Sequence, residues 1–161
     1  MNPVIFLDID GVVVTKRSLL DGPKTADPSC VARLNSLISE TNADVVVSSS
    51  WRMVHTIEFI RETLCAAGFG FPERIIDRTV HLAYRVENGT VTARAERHDE
   101  IRAWLSVNPR DRFVILDDDW DAEITGHFVR TCSDQGLEES HLNRARRILS
   151  RGFIPEMCAI G

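Results

Sequence analysis

Lysine is nearly missing from this chain. It occurs at positions 16 and 24 and nowhere between Thr25 and Gly161. Beyond Thr25 the fixed positive charge is therefore carried by arginine, a planar fork rather than a compact point charge. Long apolar runs are also missing, and nothing approaches the roughly 18 residues a membrane span needs, so no membrane partner is expected. Four cysteines (Cys30, Cys65, Cys132 and Cys158) stand far apart, with no CxxC pair and no Cys/His cluster. That argues against zinc and for reduced thiols. His55, His81, His127 and His141 are too scattered to suggest a metal centre. Pro3 and Asp8 interrupt the N-terminus, so no export signal is expected and a cytoplasmic location is. The net charge of −5 leaves no global basic field to hold a long nucleic-acid duplex. No repeat, low-complexity tract or long linker divides the 161 residues, which read as one domain over 1–161. Nothing points to an obligate protein partner.

What is present begins with Val4-Ile5-Phe6-Leu7-Asp8-Ile9-Asp10-Gly11. Four apolar residues run straight into a carboxylate, as a buried strand of a parallel sheet would. Asp8 would stand at the carboxyl end of that strand, where open α/β sheets place their chemistry. Asp10 follows two positions later. Two carboxylates so close repel each other unless a cation or a shared proton relieves them. The bland alternative is a strand ending in a solvated acidic turn.

The rest alternates in type. Val12–Ala26 is mixed and predicts a flap or irregular loop. Asp27-Pro28 opens a helix, with Asp as N-cap and Pro at the first helical position. Val31, Leu34, Leu37 and Ile38 carry its apolar stripe to about Asn42. Asp44–Val47 is a second strand ending in Ser48-Ser49-Ser50-Trp51-Arg52. A helix is expected from near Met53, with Val54, Ile57, Ile60 and Leu64 on one face and Gly68 as its stop. Arg74–Asp77 is a third strand. Leu82–Val86 and Thr90–Ala93 flank Asn88-Gly89, a hairpin signal within residues 80–95. A helix from Glu96 to about Val107 turns Ile101, Trp104 and Leu105 inward. Phe113–Leu116 is another apolar strand running into Asp117-Asp118-Asp119. His127–Thr131 is a fifth strand, and a last helix spans about Leu137 to Ser150. Strands alternating with helices predict a doubly wound parallel α/β sheet.

Three strands thus end in Asp8-x-Asp10, Ser48 and Asp117-Asp118, and a parallel sheet brings all three ends to one edge. Carboxylates from two strands make an oxygen-rich site, which suits Mg²⁺. Serines and arginines beside it suit a phosphate held against that ion. Ser49, Arg52 and Arg78 are candidates for holding substrate. The alternatives are an ordinary N-cap for a serine and a solvated face for an arginine. Trp51 sits where core packing is expected, with base stacking as the other option.

The Asp8-x-Asp10-Gly11 element, the strand-terminal Ser48 and the Asp117-Asp118 pair resemble the motifs of the haloacid dehalogenase (HAD) superfamily of phosphotransferases. More narrowly, Phe6–Val12, Ser48–Arg52, Arg97-x-x-Glu100-Ile101-x-x-Trp104-Leu105 and Ile115–Asp118 look like HAD domains associated with nucleic-acid repair proteins. Those are similar to the phosphatase half of polynucleotide kinase-phosphatases. The resemblance runs from Val4 to about Leu137 and implies a Rossmann-like sheet with a minimal cap or none.

It also implies roles. Asp8 would be the nucleophile that forms an aspartyl-phosphate. Asp10 would protonate the leaving oxygen and later activate water. Mg²⁺ would be held by Asp8, the backbone carbonyl of Asp10, and Asp117, with Asp118 and Asp121 as further carboxylates. Ser48 would hydrogen-bond a phosphoryl oxygen. The family usually supplies a lysine ahead of its last acidic motif, and this chain has none there. Arg97 is the expected replacement, with His98 and Arg94 as alternatives.

The gaps from Gly11 to Asp27 and from Gly70 to Glu96 cannot house a full cap domain. The expected substrate is a nucleotide-type phosphate, either a polynucleotide 3′ end or a mononucleotide. The competing readings are a phosphatase of small metabolites or phosphoproteins, and a non-catalytic HAD-like binding domain. Retention of both Asp8 and Asp10 argues against the last.

Overall fold

The computed structural model describes residues 1–151, and Cys158 lies outside them. Five parallel strands form the main sheet: β1 (Val4–Leu7), β2 (Asp44–Val47), β3 (Ile75–Arg78), β6 (Phe113–Asp117) and β7 (Phe128–Arg130). A separate antiparallel hairpin joins β4 (Tyr84–Glu87) to β5 (Thr90–Arg94). The helices are α1 (Pro28–Thr41), α2 (Trp51–Val54), α3 (Ile57–Ala66), α4 (Arg97–Val107) and α5 (Glu139–Arg151). The order across the sheet is β3-β2-β1-β6-β7. The chain winds outward from β1 to β3, then crosses back to start again at β6. The seam between β1 and β6 is therefore the topological switch point, where the carboxyl ends open a crevice.

Side-chain parity sorts the core into two layers. Ile5, Leu7, Val45, Val47, Val114 and Leu116 face α1, α3 and α5. Val4, Phe6, Val46, Phe113 and Ile115 face Ile101 and Trp104 of α4. With both faces covered, β1 is buried at every position. That is why these strands read as continuous apolar runs rather than alternating ones.

Asp27 caps α1 by accepting from the Ser29 amide at 2.9 Å. The same carboxylate accepts from the Thr15 hydroxyl at 3.0 Å and from the Arg17 guanidinium at 2.5 Å. One buried acid therefore ties the stretch after β1 to the first helix. Val12, Val13, Val14 and Thr15 are buried in consequence, so the expected flap departs from the core only after Thr15.

The helix expected from Met53 to Gly68 is instead two helices. Thr56 accepts from the Phe59 amide and starts α3 afresh, while His55 is extended. A side chain able to cap competes with helix continuation. Val54, expected on the apolar face, is exposed as a result. The third strand begins at Ile75 rather than Arg74, because Pro72–Arg74 form a 3₁₀ turn. The last helix starts at Glu139 rather than Leu137. Cys30, Cys65 and Cys132 are free thiols. No described helix is long and apolar enough to cross a membrane.

Burial alone would raise the Asp27 pKa, but the Arg17, Thr15 and Ser29 hydrogen bonds outweigh it and lower the value. A depressed folded value stabilises the protein above the ordinary carboxylate pKa, and this is lost as pH falls through the folded value. Asp27→Ala should therefore cost about 1–2 kcal/mol in urea denaturation at pH 7. The gap from wild type should close as the pH drops below about 4. A gap that persists in acid would mean that the carboxylate charge is not what matters.

Candidate active site

Three strand ends build the site. The Asp8 amide donates to the Leu116 carbonyl at 3.0 Å, and the Ser48 amide donates to the Leu7 carbonyl at 2.9 Å. Asp8 therefore sits between β2 and β6, flanked by Ser48 on one side and Asp117 on the other. Carboxylate oxygens of Asp8, Asp117 and Asp118 lie within 4.8 Å of one another, a grouping that could hold a metal ion. Oxygen-only donors at this spacing suit a hard divalent cation.

Asp8 and Asp117 are both buried. Burial and the neighbouring Asp117 charge push the Asp8 pKa well above the ordinary carboxylate range, and the Arg97 guanidinium opposes that rise. Burial likewise lifts Asp117 to about 7, against the Asp119 amide and Arg97. The Asp119 amide reaches Asp117 at 3.0 Å. The pair is thus short of positive charge, the condition a divalent cation relieves.

Gly11 is what lets Asp118 join. Its φ is +81°, and a Cβ placed there would lie 2.2 Å from an Asp118 carboxylate oxygen. Thr131 locks the same turn, since its hydroxyl donates to the Gly11 carbonyl at 2.6 Å while its amide donates to the Asp117 carbonyl at 3.0 Å. Nothing in the residue pattern pointed to Thr131.

Asp10 is exposed, and its carboxylate stands outside the three-acid cluster. It accepts from the Trp51 indole N–H at 2.9 Å. Trp51 is buried, as core packing requires, but also orients Asp10. That second role is invisible in the chain, because 41 positions separate the partners.

The Ser48 hydroxyl is buried and has no hydrogen-bond partner among the described residues. An orphaned buried hydroxyl is costly unless something completes it, and a phosphoryl oxygen would. Arg97, the first residue of α4, donates to the Ser48 carbonyl at 2.5 Å. His98 instead turns to Glu96 at 2.9 Å and to Arg85 at 3.1 Å, and Arg94 is exposed on the hairpin. Of the three candidates for the positive charge, Arg97 is the one brought against Asp8 and Asp117.

The remaining candidates are less direct. Ser49 faces inward, its hydroxyl accepting from the Trp51 amide at 3.2 Å. Arg52 is buried and paired with Glu100 at 2.7 Å. Arg78 is exposed and donates to the Arg52 carbonyl at 3.0 Å. Asp121 lies outside the carboxylate grouping.

A family model described as the HAD domain in Swiss Army Knife RNA repair proteins matches residues 4–142. That span takes in β1 through the start of α5, with every strand end described above, and the chain belongs to this family. No curated protein and no solved structure matched the chain. The membership makes the fold that of a HAD-superfamily domain associated with RNA repair and points to a hydrolase. HAD domains generally use Mg²⁺, and the Asp8, Asp117 and Asp118 grouping is of a composition that fits it.

A carboxylic acid whose folded pKa is raised stabilises the protein below its unfolded value and loses that contribution as pH rises through the folded one. Metal-free protein should accordingly lose stability between about pH 4, the unfolded range, and about pH 7, by about 1.4 kcal/mol per unit of elevation, read as a falling Tm. Mg²⁺ should restore more Tm at pH 8 than at pH 5. Asp117→Asn should flatten the pH dependence and shrink the Mg²⁺ gain. A Tm at pH 8 indifferent to Mg²⁺ would count against a cation site here.

Proposed function

We propose that this domain is a Mg²⁺-dependent phosphomonoesterase working through an aspartyl-phosphate on Asp8. The observation that carries the reading is the grouping of buried Asp8 and Asp117 with half-buried Asp118 beside an unsatisfied Ser48 hydroxyl and the Arg97 guanidinium. Asp8, Asp117 and Asp118, with the Asp10 backbone carbonyl, would hold the ion, which supplies charge neutralisation when bound. An Asp8 oxygen attacks phosphorus while the bond to the leaving oxygen breaks. Asp10 hands its proton to that leaving oxygen, then takes one from the water that hydrolyses the acyl phosphate. The Trp51 indole N–H holds one Asp10 oxygen, which leaves the other to face the leaving group. Ser48 and Arg97 hold the phosphoryl oxygens.

The substrate is a nucleotide-type phosphate, and a polynucleotide 3′ end is favoured. Three observations support this choice. The family is named for RNA repair proteins. The insertion between β3 and α4 is only a two-stranded hairpin with exposed Tyr84 and Arg94, which leaves room for a chain end. The net charge of −5 fits recognition of a terminus rather than a long duplex footprint.

Phosphate release from a generic aryl phosphate should require Mg²⁺ and fall by at least about 1,000-fold in Asp8→Asn, leaving only residual positioning and electrostatic catalysis. Turnover at the wild-type rate in Asp8→Asn would remove Asp8 as nucleophile. Within a substrate panel, a 3′-phosphorylated oligonucleotide should exceed 5′-mononucleotides in kcat/KM. The reverse ranking would replace the chain-end substrate with a mononucleotide.

A further inference from the structure

Glu100 is a buried carboxylate one turn into α4, and the chemistry above does not use it. One of its oxygens lies 2.7 Å from an Arg52 terminal nitrogen and 4.0 Å from the Arg97 Nε. The other accepts from the Leu82 amide at 2.9 Å and lies 3.4 Å from the His81 Nδ1. Donors from α2, from α4 and from the lead-in to the hairpin thus converge on a single acid.

Both arginines have a second anchor on the serine loop after β2. Arg97 donates to the Ser48 carbonyl at 2.5 Å, and Arg52 donates to the Ser49 carbonyl at 2.6 Å. Two long cationic side chains side by side repel each other and have many rotamers. A carboxylate between them removes the repulsion and selects one arrangement. A buried Arg without a partner is strongly disfavoured, and Arg52 is buried.

We propose that Glu100 is a positioning residue for this site: it holds the Arg52–Arg97 pair against the serine loop, so that Arg97 is set in advance to receive a phosphate. The same carboxylate fastens the Leu82 end of the hairpin, so the arginine pair and the hairpin share one anchor. The second tether runs from Arg85 to Asp99 at 3.0 Å, on the same helical turn. The inference rests on the phosphatase reading of the Asp8 site.

The test is a double-mutant cycle in the presence of Mg²⁺. Inorganic phosphate binding is followed by calorimetry, and KM and kcat are measured on an aryl phosphate. Glu100→Gln keeps the shape and removes the charge. It should weaken phosphate binding and raise KM by about tenfold or more, approaching the roughly 100-fold that a misplaced positioning group can cost. Arg97→Ala should do the same, and the double variant should be no worse than Arg97→Ala alone, because Glu100 acts through Arg97. Additive losses, or wild-type phosphate binding in folded Glu100→Gln, overturn the proposal. If Glu100→Gln does not fold, Arg52→Met with Glu100→Leu replaces the buried pair by apolar residues. That variant should fold and still show the phosphate-binding loss, and unchanged phosphate binding in it overturns the proposal. Wild-type protein that binds phosphate but hydrolyses nothing defeats the phosphatase reading, while the binding cycle still decides the part played by Glu100. Wild-type protein that does neither defeats both.

Discussion

Mutual repulsion among Asp8, Asp117 and Asp118 is the constraint on which the site depends. Carboxylate oxygens packed within 4.8 Å of one another, with two of the acids buried, cannot all stay ionised without opposing charge. Burial holds both Asp8 and Asp117 above the ordinary carboxylate range, and Arg97 relieves only part of that strain. The sheet nevertheless brings the three acids together, because its order reverses between β1 and β6 and both strands end in acid there. Gly11 and Thr131 then hold the turn after β1 close enough for Asp118 to join.

The first turn of α4 answers this negative charge and does further work. Arg97 faces the acids, Asp99 holds Arg85 of the hairpin, and Glu100 gathers Arg52, Arg97 and the Leu82 amide. Consecutive helical positions fan around the axis, so neighbouring residues can serve different surfaces. A chain without lysine in this region meets the need for positive charge with arginine. Arginine brings several donors in a fixed fork and needs more partners to hold it still. Glu100 and the Ser48 and Ser49 carbonyls are those partners.

Where the determinants were neighbours in the chain, the residue pattern was legible. Val4–Leu7 running into Asp8, and Phe113–Leu116 running into Asp117, announced buried strands with acidic ends, and both strands are found there. Asp27-Pro28 announced the start of α1 for a similarly local reason. The break between α2 and α3 was harder to read, because helical periodicity continues through Thr56 while its side chain caps the next helix. The burial of Val12–Thr15 is not legible in the residue pattern either, since the Asp27 contacts that hold the segment and its continuation are made by Thr15 and Arg17, 12 and 10 positions away.

The sequence by itself determined the alternation of strands and helices, the acids at two strand ends, the serine at a third and the membership of the HAD superfamily. Each is written in short runs, where apolar periodicity and the abrupt arrival of a polar residue act over a few positions. Tertiary structure alone decided which arginine meets the acids, which indole orients Asp10 and what Glu100 holds. Trp51 and Asp10 are 41 positions apart, and Arg97 and Ser48 are 49 apart. Hydrogen bonds and charge pairs act over a few ångströms. Only the crossovers of a parallel sheet bring such distant residues within that reach.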